Sequence, residues 1–138
     1  MNLTTENFQQ LLEKVFGQNH ISKAATIETI ETAEIHFNFK FPSDYIEFLL
    51  LSNGIEGQTK NNYLVLWSIE ELIDLNEAYH VKEFIDNIII FGSDGADEAY
   101  CFDISTNTAI IKMPFIGMGY VVNEKIANSF KQFLESQN

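Results

Sequence analysis

The residues able to do chemistry are few and scattered. Cys101 is the one thiol, set in the apolar run Ala99 to Phe102, where a free cysteine packs as a small hydrophobe. His20, His36 and His80 are far apart, and no Gly-x-Ser-x-Gly or Cys/His signature surrounds them, so nucleophilic catalysis has no support. One Cys and three dispersed His give no zinc-ligand spacing, and His-Glu-x-x-His is absent. Gly117-Met118-Gly119 lacks the third glycine of a dinucleotide fingerprint, and strand-like Tyr120-Val121-Val122 follows it in place of a helix start. The densest carboxylates outside a helix are Asp94, Asp97 and Glu98. Hard cations take such oxygens, but the alternating ligands of a calcium loop break at Ala96 and no glutamate closes it. The plainest reading is a solvated hairpin turn in which Asp94 and Gly95 meet backbone needs; a partner-contacting loop is the second, and a cation site the third. Nothing selects a glycosidase-type carboxylate pair. The expectation is no catalytic residue, no metal and no cofactor.

Charge says more. The 138 residues carry 20 Asp and Glu against 8 Lys and Arg, a formal net charge of −12. Such a surface repels nucleic acid and anionic lipid, which bind basic patches, and it steers toward cationic partners. Hydrophobic residues make up 46% and include 12 Phe, enough for a packed core. The lone cysteine excludes an internal disulfide and fits a reducing cytoplasm. Met1 to Phe16 has neither the basic nor the apolar region of a signal peptide, and Met113 to Val122 is too short and too broken to span a bilayer.

The elements that would position these groups follow from periodicity. Phe8, Leu11, Leu12, Val15 and Phe16 share one face of a helix that Thr4 or Thr5 caps and Gly17 ends. Thr26 to Asn38 reads as a second helix with Ile27, Ile30, Ala33 and Phe37 on one face. Phe41-Pro42 breaks that pattern and opens a third, with Asp44 in its first turn, Tyr45, Phe48, Leu49 and Leu51 for packing, and Asn53-Gly54 as its stop. Asn62 to Trp67 reads as a strand. Ser68 and Glu71 make a capping box, with Trp67 and Leu72 as its hydrophobic staple, for a helix running to about Tyr79. Ile88 to Phe91, bounded by Gly92, then Ala99 to Phe102, then Ala109 to Met113 predict an antiparallel meander turning at Asp94-Gly95. Phe115 to Val122 offers a further strand, and Asn123 a cap for a last helix carrying Ile126, Phe130, Phe133 and Leu134. No repeat or linker divides residues 1–138, so the expectation is a single α+β domain with a central, mostly antiparallel or mixed sheet and helices around it.

Several of these residues, taken in order, resemble the SUKH superfamily, also called the Smi/Knr family. They are Phe41-Pro42-Ser43-Asp44-Tyr45, Phe48-Leu49 and Asn53-Gly54, with Glu34 at the spacing of the family's acid in the preceding helix. Ile90-Phe91-Gly92-Ser93-Asp94-Gly95 with Phe102-Asp103 is similar to its strand–turn–strand segment, and Ser129-Phe130 with Phe133-Leu134 to its terminal helix. The chain departs from the pattern at Phe41, where Leu is commoner, and at Ala96-Asp97, where a further Gly is often found. The resemblance covers about residues 24 to 135 and implies an α+β fold. It also implies an immunity protein of a polymorphic toxin system, which binds and neutralises a cognate toxin without catalysis. The alternative it leaves is a regulatory scaffold or ligand-binding module like the fungal cell-wall-synthesis regulators.

Resemblance and charge together give the functional expectation. A nuclease-type toxin holds phosphate with cationic groups, and an acidic protein is steered to that surface and covers it. Clustering makes Asp94, Asp97, Glu98 and Tyr100 the contact candidates, with Glu56, Glu70 and Glu71 as further acids. The expected partner is a basic toxin domain in the cytoplasm, with no direct nucleic acid and no membrane.

Overall fold

The structure is a computed structural model that describes residues 7–17, 21–60, 62–79, 81, 87–106, 108–116 and 124–137. Helix α1 (Phe8–Phe16) is opened by a capping box between Asn7 and Gln10 and closed by Gly17 at φ 80°. The cap is therefore Asn7 and not Thr4 or Thr5, which stand too far before Phe8. Thr4, Thr5, His20, His80, the Gly117-Met118-Gly119 segment and Asn123 lie outside the described residues. Helix α2 (Ile27–Phe37) is capped by Thr26 and ends on Asn38 in the left-handed conformation. Its buried side is Ile30, Ala33 and Glu34; Ile27, expected on that side, faces out.

Helix α3 (Ser43–Leu51) starts after Pro42, which stands at the cap. It ends on an extended Ser52, so Asn53-Gly54 is not its left-handed cap. Gly54, at φ 85°, is needed for another reason: a β-carbon there would meet the Leu66 carbonyl oxygen at 2.7 Å and the Ser68 nitrogen at 2.8 Å. Strand β1 (Ile55–Gln58) follows and pairs with β2 (Tyr63–Leu66). No strand is expected at β1 from the residues alone, because Ile-Glu-Gly-Gln is poor in strand formers. Helix α4 (Ile69–Ala78) has the expected Ser68–Glu71 capping box.

The meander then runs through β3 (Ile88–Ser93), β4 (Glu98–Asp103), a short 3₁₀ turn (Ile104–Thr106) and β5 (Ala109–Pro114). Gly92 does not bound β3. It lies inside it, at a bulge between Ile90 and Gly92, where a β-carbon would collide with the Val65 carbonyl oxygen. Phe115 and Ile116 are outside any strand, and residues 117–122 of the expected extra strand lie outside the described residues. Residues expected to begin the last helix instead form β6 (Glu124–Ala127), so Ile126 belongs to a strand. The closing helix α5 (Phe130–Glu135) starts later, capped by Ser129.

The result is an α+β fold whose sheet has, among the described residues, six strands in the order β1-β2-β3-β4-β5-β6, every neighbouring pair antiparallel. Register aligns Ile89, Phe102 and Ile110 on one face and Ile90, Cys101 and Ile111 on the other. All six are buried, which is why β3 to β5 read as continuous apolar runs with little alternation. On the first face Tyr45 is ringed by Phe41, Phe48, Phe91, Phe102 and Phe130 at centroid distances of 4.9 to 6.1 Å. Asp44 joins the two helices above it: its Oδ1 accepts from the Tyr45 N–H and its Oδ2 from the Lys131 N–H of α5. One carboxylate thus serves the N-terminal turns of both helices, where the dipoles favour negative charge.

Candidate partner-binding surface

The β3–β4 turn is built by Asp94. Its Oδ1 accepts from the Ala96 N–H at 2.9 Å and the Glu98 N–H at 3.2 Å, while its own N–H donates to the Glu98 carbonyl. Gly95 takes φ 82°, which a side chain there would resist, and its N–H donates to Ser93 Oγ. Asp94 and Gly95 therefore meet backbone needs, as the turn chemistry predicted. Asp97 is left exposed and Glu98 half-buried. Tyr100 lies inward, 6% exposed, with its ring 4.8 Å from that of Phe133. Burial, then the charges of Asp94 and Glu98, raise its phenol above the ordinary tyrosine value.

The β1–β2 hairpin brings Glu56 to the same end of the sheet. The Tyr63 hydroxyl donates to Glu56 Oε2, and the Tyr63 ring lies against Gly95: a β-carbon there would stand 3.0 Å from it. Glu56, Asp94, Asp97 and Glu98 thus sit on two hairpins that touch through Tyr63, whose side is 40% exposed. Tyr63 was not singled out in the sequence; its signal was only that of an aromatic in a strand. Carboxylates crowded on a rigid sheet end can present negative charge to a cationic surface, and an adjacent aromatic supplies contact area.

Glu70 and Glu71 stand elsewhere. Glu71 closes the capping box by accepting from the Ser68 N–H at 3.0 Å. Glu70 Oε1 accepts from Asn53 Nδ2 at 2.9 Å, while Asn53 Oδ1 accepts from the Ile69 N–H at 2.8 Å. Asn53 and Gly54 are therefore the joint between the end of α3 and the start of α4. Glu34 is structural as well: its Oε2 accepts from the Phe41 N–H at 2.8 Å in a buried position, and Lys40 Nζ is 3.8 Å from Oε1. With Pro42, Tyr45 and Phe48 it fixes the entry of α3 onto the aromatic core.

Cys101 is fully buried, and burial pushes its thiol far above the usual range, the opposite of what a nucleophile needs. Among the described residues no group of three or more His, Cys, Asp or Glu side chains is arranged to hold a metal ion. Among them, too, no helix is long and apolar enough to cross a membrane.

Residues 24–136 match the SMI1 / KNR4 family (SUKH-1). No curated protein matches the chain at a significant level. The family match takes in every element from α2 to α5, including the Glu34–Phe41 bond, the Tyr45 cluster and the Asn53-Gly54 joint, and the chain belongs to the SMI1 / KNR4 family (SUKH-1).

Proposed function

We propose that this protein is a non-catalytic immunity protein of the cytoplasm, which binds a basic, nuclease-type toxin and covers its phosphate-holding surface. The observation that carries the reading is the sheet end where Glu56, Asp94, Asp97 and Glu98 are held on two hairpins joined by Tyr63. The backbone of the turn is fixed by the Asp94 bonds, so binding there needs little backbone ordering and the cost left is that of the side chains. The net charge of −12 adds long-range attraction to a cationic partner. Tyr100 in this reading supports the turn from below and does not itself touch the partner.

The test is co-expression with the toxin domain encoded by a neighbouring reading frame. The expected result is restored growth and a complex that survives purification, both lost in the Glu56→Lys, Asp97→Lys, Glu98→Lys triple variant while its melting curve stays cooperative. Full protection by that variant overturns the assignment of the face. Turnover of a small compound by the purified chain, abolished by one substitution at a carboxylate, overturns the non-catalytic reading itself.

A further inference from the structure

Helix α2 has two sides, and only one is explained by the fold. Ile30, Ala33 and Glu34 are buried beneath it. On the outer side Ile27 is 52% exposed and Ile35 81%, at positions i and i+8, with Glu28 and Glu31 exposed on the same side. Isoleucine is a mediocre helix former, and Ile35 adds little buried area to the free protein while Ile27 buries only about half of its surface. The surroundings are mostly acidic, Lys40 beside the buried Glu34 being a cation placed against this helix by an ion pair. Helix α2 presents two exposed glutamates, Glu28 and Glu31, and its packing neighbour α4 carries three glutamates and an aspartate, while neither helix contains Lys or Arg. His36 Nε2 lies 3.4 Å from Glu77 Oε1, which sets the exposed Glu77 and Asp74 of α4 beside the C-terminal half of α2.

We propose that the outer face of α2 is a second docking surface, on which Ile27 and Ile35 enter apolar sockets of a basic protein and the flanking carboxylates meet its cationic rim. Charge decides the occupant. A second copy of this chain would bring Glu28 and Glu31 against their own symmetry mates, a like-charge contact that disfavours self-association. A Lys- or Arg-rimmed apolar patch has the opposite sign and the same mixed chemistry. The inference rests on the reading that the protein works by binding a basic protein, and it places contacts on residues away from the β3–β4 turn.

The test is an NMR titration of the full ¹⁵N-labelled chain with two synthetic peptides of equal positive charge. One is a helix former with Leu on one face and Lys on the other; the second has Ser in place of Leu. The expected result is saturable binding of the Leu/Lys peptide with shifts centred on residues 27–35 and 74–77. Its affinity exceeds that of the Ser/Lys peptide by about tenfold, the worth of one buried aliphatic side chain. Ile35→Ser, at a site exposed enough to leave folding intact, removes most of that difference. Equal affinity for both peptides, or an Ile35→Ser variant that binds as well as the parent, overturns the apolar anchor. Shifts centred on residues 94–98 overturn the α2 face while leaving the acidic-surface reading standing, and no saturable binding of either peptide counts against both.

Discussion

The side-chain amide of Asn76 closes both backbone groups of Ile90. Its Nδ2 donates to the Ile90 carbonyl at 2.8 Å, and its Oδ1 accepts from the Ile90 N–H at 2.9 Å. The reason is topological. Strand β2 pairs with β3 only at Val65–Ser93 and Leu66–Gly92, after which Trp67 N–H reaches Phe91 O and the chain turns into α4. Without another residue of β2, Ile90 would be left with a buried, unpaired donor and acceptor. A primary amide offers the same donor and acceptor pair as a peptide group, so Asn76 stands in for the missing strand residue.

Asn76→Ala should therefore cost about 2–4 kcal/mol, because two buried backbone groups lose their partners. Asp74→Ala, on the exposed side of the same helix, should stay within about 0.5 kcal/mol of the parent. Urea unfolding of both variants checks the contrast, and an equal, small loss in both would remove Asn76 from this account.

Gly92→Ala is expected to loosen β2 from β3, since the new methyl would occupy the space of the Val65 carbonyl oxygen. Backbone cannot swing aside as a long side chain can, so the cost should be about 2–3 kcal/mol. Gly17→Ala has no atom within 4 Å and suffers only from its positive φ, so about 1 kcal/mol is expected there. Hydrogen exchange on residues 63–66 should rise in the first variant and not in the second.

Tyr45 sets an alkaline limit on the fold. Its hydroxyl is buried without a hydrogen-bond partner among the described residues, and burial raises its pKa, as it raises that of Cys101. Both groups are held neutral when folded, whereas the unfolded chain gives up its protons near the ordinary values of 9.0 for Cys and 10.0 for Tyr. Above those values the unfolded state binds fewer protons than the folded one, so stability is full below pH 9 and falls as pH rises, by about 1.4 kcal/mol per pH unit and group. Tyr45→Phe should flatten this limb and, by removing an unsatisfied polar atom, leave stability at pH 7 equal or up to about 1 kcal/mol higher. Guanidinium titrations between pH 7 and pH 11 decide it; a large loss at pH 7 would mean that the hydroxyl has a partner.

Much of this fold was legible in the chain because local signals and tertiary context agree. The Ser68–Glu71 box, the Gly17 stop and the stripe of Phe8, Leu11, Leu12, Val15 and Phe16 are local chemistry, and the structure repeats them. The β3–β5 meander was visible because strands buried on both faces are uniformly apolar. What was missed depends on partners distant in sequence. β1 and β6 are short edge strands of Ile-Glu-Gly-Gln and Glu-Lys-Ile-Ala, and only pairing makes them strands. Asn76 sits at an apolar-stripe position after Ile69 and Leu72, a mismatch that flags a buried polar role but not its target. At the candidate surface the acids of the Asp94 turn were found by clustering, whereas their meeting with Glu56 through Tyr63 needed the register of two hairpins. Tyr100 shows the reverse: alternation cannot mark the outward residues of a strand covered on both faces, and it lies inside.

The most direct test of the central claim is the rate at which the chain associates with its toxin domain, measured by stopped flow over a range of salt. An acidic surface steering toward a cationic one predicts a rate that falls steeply with ionic strength and drops about tenfold or more at low salt in the Glu56→Lys, Asp97→Lys, Glu98→Lys variant, with a smaller change in dissociation. A rate indifferent both to salt and to these three reversals would contradict the account.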